Sequence, residues 1–251
     1  MTLPPAEILT ERVDLTADDE RFHAYRARPR GNHPHNGVVV AHELFGVTSH
    51  IREVCERLAT AGYVAIAPDF YHRLEPGVDL PHDESGRERG FALLNRLRRT
   101  DAIADVDAAI GHLHAAGATH IGMMGLSVGG HIAYLSATAH RLDAIAALYP
   151  GWLTGTDIAL SQPEPTIELT AGITGRILIL CGAADHAVPT SDLDTLDARL
   201  TDAAVEHEIV SYRDTPHGFL CDRRETYRPD AANDAWRRVI QLFDSTLEPG
   251  A

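Results

Sequence analysis

Residues 119–139 read Thr-His-Ile-Gly-Met-Met-Gly-Leu-Ser-Val-Gly-Gly-His-Ile-Ala-Tyr-Leu-Ser-Ala-Thr-Ala, and the reading of this stretch decides the fold. Ile121, Met123 and Met124 form an apolar run suited to a buried strand. Ile132, Ala133, Leu135 and Ser136 continue in a helical pattern. Between the two lies Gly125-Leu126-Ser127-Val128-Gly129, a G-x-S-x-G pentapeptide with its serine at the apex. The pentapeptide alone is a weak signal, and its strand–turn–helix setting carries the weight. A serine on such an elbow has its hydroxyl exposed above the sheet edge, and the small residues two positions away let the backbone bend there. The competing reading is an ordinary glycine-rich turn, and partners for Ser127 elsewhere in the chain decide between the two.

Working outward, residues 11–15 and 21–28 alternate apolar and polar, as an N-terminal antiparallel pair does. Val38-Val39-Val40-Ala41 is a β-branched run typical of a strand buried on both faces. Helical spacing follows from Ile51 through Val54 and Leu58 to a stop at Gly62, and Tyr63-Val64-Ala65-Ile66-Ala67 makes the next strand. Residues 71–86 are polar and broken by Pro76, Gly77 and Pro81, so 71–100 is expected to be an excursion at the sheet's edge. Helices are expected at 87–98, 101–115, 190–202 and 230–244, and further strands at 143–148, 176–181 and 206–212. Alternation of buried strands with helices predicts an α/β fold, a mainly parallel, doubly wound sheet with helices on both faces. Residues 1–251 are expected to form one domain, with the last four fraying.

Composition narrows the function classes. The chain has 251 residues, 44% hydrophobic and 23% charged, with a formal net charge of −14. That excess of acid speaks against nucleic acid and anionic membranes as partners. Every basic residue is arginine apart from the histidines, which excludes a Walker-type phosphate loop, a pyridoxal Schiff base and lysine-dependent aldol chemistry. The start, Met1-Thr2-Leu3-Pro4-Pro5, lacks a signal-peptide pattern, and no apolar stretch is long enough to span a bilayer. Cys55, Cys181 and Cys221 are odd in number and widely spaced, as core thiols of a cytoplasmic protein are.

Partners for Ser127 do exist. Asp185 follows the apolar strand ending at Cys181, and His217 follows the strand 206–212. The chain order Ser127, Asp185, His217, each in a loop at a strand's carboxyl end, is the order of α/β-hydrolases and differs from the two protease arrangements. The chemistry needs these types. A serine hydroxyl is a poor nucleophile until a neutral imidazole takes its proton, and a buried carboxylate fixes the imidazole's tautomer. Asp192 and Asp214 lie close enough to the relevant turns to compete for the acid's place.

The segments His42-Glu43-Leu44-Phe45-Gly46-Val47, Gly125–Gly130 and His217-Gly218-Phe219 resemble the dienelactone hydrolase family of α/β-hydrolases, over about residues 21–243. The family usually carries cysteine at the elbow, where this chain has Ser127. The resemblance implies that Glu43 sits against the nucleophile. Since a hydroxyl is far less acidic than a thiol, Glu43 is expected to hydrogen-bond the resting hydroxyl or tune the pocket; a structural glutamate capping the turn after 38–41 is the alternative. Geometry puts one oxyanion donor at the backbone N–H of Val128, at the start of its helix. The resemblance places the other at Leu44.

No metal is expected. H-E-x-x-H fails because Gly46 stands where the second histidine is required. His112 and His114 diverge on their helix, and His33 and His35 fall in a Pro/Asn/Gly turn.

For the substrate, Arg87, Arg89, Arg96, Arg98 and Arg99 read first as a solvated helix. The resemblance would instead use an arginine of this segment, with Arg87 and Arg89 as candidates, and a second one after the catalytic histidine, to hold a substrate carboxylate. Cys221 occupies the place of that second arginine, with Arg223 and Arg224 slightly further on. Tyr71, Tyr149, Trp152 and Phe219 are candidates to line an apolar pocket. The expectation is a cofactor-independent serine hydrolase of small esters or lactones, monomeric or a small homo-oligomer. An acyl transferase on the same triad and a non-catalytic ligand-binding protein are the alternatives.

Overall fold

The computed structural model describes residues 7–31 and 36–247, so His33, His35 and the C-terminal four residues lie outside the described residues. Its strands are β1 (Ile8–Ala17), β2 (Glu20–Pro29), β3 (Gly37–Ala41), β4 (Val64–Pro68), β5 (Ile121–Leu126), β6 (Ala144–Leu148), β7 (Arg176–Gly182) and β8 (His207–Tyr212). They form one eight-stranded sheet in the order β1-β2-β4-β3-β5-β6-β7-β8. From β4 to β8 all pairs are parallel, while β1–β2 and β2–β4 are antiparallel. The N-terminal hairpin turns through Asp18 and Asp19, whose φ angles of 50° and 65° suit a two-residue turn matched to strand twist. β3, β4, β5 and β6 are buried along their whole length, which is why they read as continuous apolar runs rather than alternating ones.

The helices are α1 (Ser49–Thr60), α2 (Glu84–Leu94), α3 (Arg99–Ala115), α4 (Val128–Ala139), α5 (Thr190–Asp202) and α6 (Pro229–Leu247). α1 packs on β2 and β4, and α6 on β5, β6 and β7. The two are tied on one face by the Arg57 guanidinium, 3.9 Å from the Trp236 ring centroid. α3 and α4 pack together on the opposite face, because the β4-to-β5 and β5-to-β6 crossovers run along the sheet against the direction of the β3-to-β4 crossover that carries α1. Among the described residues no helix is long and apolar enough to cross a membrane.

Two expectations need correction. The helix expected at 87–98 runs instead over Glu84–Leu94, capped by Asp83 Oδ1, which accepts from the Gly86 N–H at 2.9 Å. Arg98 is extended and α3 starts at Arg99, so the arginine-rich stretch spans a break between helices rather than one helix. The segment 71–86 does not decorate the sheet's edge, because β4 is an interior strand. It folds back over the loop after β3: Gly46 bridges Asp79, Leu80 N–H donates to Phe45 O at 2.9 Å, and a Cβ on Gly90 would meet Leu44 at 2.6 Å. The long connection from β6 to β7, given no structure in the sequence reading, holds two short 3-10 turns at Ala159–Ser161 and Thr166–Gly172.

Candidate active site

Ser127 stands between β5 and α4 with φ 58° and ψ −116°, a left-handed conformation costly for any residue with a side chain. The glycines make room for it. A Cβ on Gly125 would lie 1.9 Å from Gly129 O, and one on Gly129 would lie 2.1 Å from Ala41 O. The Ser127 N–H donates to Leu148 O at 2.9 Å, which anchors the elbow to β6.

From the elbow a continuous line of hydrogen bonds runs through two later loops. Ser127 Oγ is 2.8 Å from His217 Nε2, and His217 Nδ1 is 2.8 Å from Asp185 Oδ2. The other carboxylate oxygen, Oδ1, accepts from the N–H groups of Ala187 (2.8 Å) and Val188 (3.2 Å). The Asp185 side chain is fully buried and the His217 side chain is 14% exposed. An acceptor-only carboxylate fixes Nδ1 as the protonated nitrogen, leaving the Nε2 lone pair aimed at the serine. The competing acids point elsewhere. Asp192 accepts from Thr154 Oγ1, and Asp214 is an exposed turn residue with φ 52°.

The loop after β3 is pinned from below. His42 is fully buried, with Nδ1 2.7 Å from Glu43 O and Nε2 accepting from Phe70 N–H at 3.3 Å. Burial pushes its pKa down, so it serves as a neutral spacer. Tyr71 is also fully buried and donates to Leu44 O at 3.1 Å. The sequence reading offered Tyr71 as pocket wall; the structure gives it the work of orienting the Leu44 peptide. Among the described residues no backbone carbonyl accepts from the Leu44 N–H. Val128 is the first residue of α4, so its N–H has no intrahelical acceptor either.

Beside this lies a second group of polar atoms. Glu43 is buried and Oε1 accepts from Arg224 Nη1 at 3.2 Å. Arg224 also lies over the Phe45 ring, 5.6 Å from its centroid. Glu43 Oε2 and the Tyr149 hydroxyl have no partner in hydrogen-bonding geometry among the described residues. Burial, then the Glu43 carboxylate, holds the Tyr149 phenol well above its ordinary range. The Tyr149 ring meets His217 edge-on, with centroids 5.0 Å apart, and is backed by Phe219 at 5.3 Å. Phe219 is fully buried, a support for Tyr149 rather than a pocket surface. Trp152, half-buried with φ 60°, meets the exposed Phe91 edge-on at 6.3 Å.

The arginines of 87–99 are mostly engaged away from the triad. Arg89 pairs with Glu75, Arg98 with Asp101 and Arg99 with Glu164, while Arg87 is exposed on α2. Sequence reasoning passed over His131, four residues beyond Ser127. It is fully buried, with Nδ1 2.8 Å from Gly151 O and Nε2 2.9 Å from Thr166 Oγ1, so it fastens the β6–β7 connection to α4. A histidine inside an otherwise apolar helix was the available signal. His82 was also passed over, and with Glu43 and Cys221 it forms a group that no local spacing rule covers.

Comparison with known proteins bears on this arrangement. The model of the dienelactone hydrolase family matches residues 22–247. The chain belongs to the dienelactone hydrolase family. That membership makes it an α/β-hydrolase-fold enzyme acting on ester or lactone bonds. A Synechocystis sp. protein named “Putative carboxymethylenebutenolidase” is 35% identical over 96% of this chain and 99% of its own. A Rhodococcus opacus “Carboxymethylenebutenolidase” is 29% identical over 85% of this chain and 82% of its own. A solved structure titled “Putative Dienelactone Hydrolase”, from Klebsiella pneumoniae, superposes with a TM-score of 0.86 at 30% identity, covering 95% of this chain and 99% of its own.

Proposed function

We propose that this dienelactone hydrolase family member is a serine hydrolase of small carboxylic esters or lactones that works through an acyl-enzyme. The observation that carries this reading is the line Ser127–His217–Asp185, with both hydrogen bonds at 2.8 Å and the outer carboxylate oxygen already held by two backbone donors. Ser127 Oγ attacks the carbonyl carbon as Nε2 of His217 takes its proton. The tetrahedral oxyanion is received by the Val128 and Leu44 N–H groups, each worth about 2.7–4 kcal/mol in such a site. His217 then returns the proton to the departing alkoxide, and water repeats the sequence to release the acid and restore Ser127. In a lactone the leaving alkoxide stays tethered, so one product carries both groups.

Substrates without a carboxylate fit this chain best. Cys221 stands where an arginine is expected, Arg224 is committed to Glu43, and Arg89 is committed to Glu75. The relatives are named for a butenolide lactone that bears a carboxymethylene group, so the preference for neutral substrates rests on Cys221 and on the commitments of Arg224 and Arg89 alone. The test is a panel of short esters and lactones, each with and without a carboxylate, assayed with wild type and Ser127→Ala. Turnover of the neutral members by wild type alone is expected. Activity retained in Ser127→Ala contradicts the nucleophile, and a preference for the carboxylate-bearing members contradicts the substrate assignment.

A further inference from the structure

Three segments distant in sequence bring Glu43, His82 and Cys221 together, with a carboxylate oxygen, an imidazole nitrogen and a sulfur all within 4.8 Å of one another. Glu43 comes from the loop after β3, His82 from the segment folded over that loop, and Cys221 from the turn that follows His217. Glu43 is only 2% exposed, and its Oε2 meets no partner in hydrogen-bonding geometry among the described residues, the neighbouring Tyr149 phenol included. His82 Nε2 is buried and unpartnered too, although the ring itself is fixed edge-on against Phe45 at 4.6 Å. A buried polar atom left unpaired is costly, and more so if charged. Here the two residues that carry such atoms converge beside a thiol that is itself fully buried.

We propose that Glu43 Oε2, His82 Nε2 and the Cys221 sulfur form a binding site for one zinc-class divalent cation. Thiolate, imidazole and carboxylate together make a borderline-soft donor set, which suits zinc and disfavours magnesium and calcium. Around a tetrahedral ion at ordinary bond lengths, such donors lie about 3.3–3.6 Å apart, so the three side chains need close by only about an ångström. The Cys221 thiol proton leaves to solvent as the sulfur–metal bond forms. Thiolate and carboxylate then neutralise the ion, while Arg224 keeps its hold on the other glutamate oxygen, Oε1. The fourth position belongs to water, as in sites with three protein ligands.

A second grouping, His50, Cys221 and Asp222, shares the same sulfur, so only one of the two sets can be filled at a time. In that set Asp222 is exposed and only His50 Nε2 is buried and unpaired, whereas Glu43 and His82 each carry such an atom. That difference favours the Glu43 set. The site does not depend on the serine-hydrolase reading, since none of its donors belongs to the triad.

The test is a titration of the full, tag-free, reduced chain with Co2+ and then Zn2+. Wild type is expected to bind one ion, with a sulfur-to-cobalt charge-transfer band that Zn2+ displaces. Cys221→Ser should abolish the band, and Cys55→Ser and Cys181→Ser should keep it. His82→Gln should weaken Zn2+ binding by more than the roughly 10–100-fold that loss of an outer-shell partner costs. Ser127→Ala should bind as wild type does, which separates this result from the fate of the proposed function. Circular dichroism of each variant shows that it is folded. No band in wild type, or a band that survives Cys221→Ser, overturns the proposal. Loss of affinity in His50→Gln with none in His82→Gln also overturns it, by assigning the ion to the other donor set.

Discussion

The Ser127–His217–Asp185 line and the Glu43 group share the carboxyl end of one sheet, yet their polar atoms are arranged in opposite ways. In the triad every atom has a directed partner: serine to imidazole, imidazole to carboxylate, carboxylate to two backbone N–H groups. Around Glu43 only one carboxylate oxygen is matched, by Arg224; among the described residues Oε2, His82 Nε2 and the Tyr149 hydroxyl are buried and meet no partner in hydrogen-bonding geometry, although the Glu43 carboxylate acts on the Tyr149 phenol. A fully satisfied network is rigid and ready before substrate arrives. A partly satisfied one stores desolvation cost that a ligand can relieve. On the two proposals, the difference is that between a preorganised reaction line and a ligand site.

The largest effect that can break this contrast lies in the triad. Asp185→Asn should lower kcat by about 10⁴-fold with little change in fold, because an amide in that place favours the wrong imidazole tautomer. Steady-state kinetics on a p-nitrophenyl ester measures it. A loss under tenfold would mean that the line is not the reaction path.

Around Glu43 the expected effect is on stability. Arg224→Met leaves the buried carboxylate without its cation and should cost on the order of 3 kcal/mol. The double variant Arg224→Met/Glu43→Gln should recover much of that. Urea denaturation of the four species reads the coupling. If the single and double variants are equally unstable, Arg224 acts by packing on Phe45 rather than by its charge.

The contrast also shows what the sequence could and could not reveal. The parallel sheet was legible because β3 to β6 are continuous apolar runs, and Ser127, Asp185 and His217 stood out because each lies in a loop shortly after a strand. The Glu43 group was not legible, since its members come from a loop, an excursion and a turn whose meeting depends on how 71–86 folds back. That segment was placed at the sheet's edge because its prolines and glycines announce a loop but not its destination. A break between helices was legible but its place was not: it was expected after residue 98 and falls at 95–98, because arginine is a good helix former and Arg98 is extended only in the context of its neighbours.

A smaller effect concerns the β6–β7 connection. Burial depresses the His131 pKa to about 4. The unfolded chain takes up this proton near the ordinary histidine value of about 6.5, and the folded chain only near the depressed one. Between those values the unfolded state binds more protons, so stability falls as pH is lowered through that window, by about 3 kcal/mol from this group. The contribution is fully present above the window and spent below it. Denaturation midpoints from pH 7 to 4 should therefore fall less steeply for His131→Gln than for wild type. Equal slopes would remove His131 as the source.

The central claim, that Ser127 is the attacking nucleophile, is tested most directly by trapping it. Incubation with a fluorophosphonate followed by intact-mass and peptide mass spectrometry should show one adduct per chain, on the peptide carrying Ser127, formed in step with loss of esterase activity. An adduct on Cys221 or another residue, or full activity loss with Ser127 unmodified, would contradict the account.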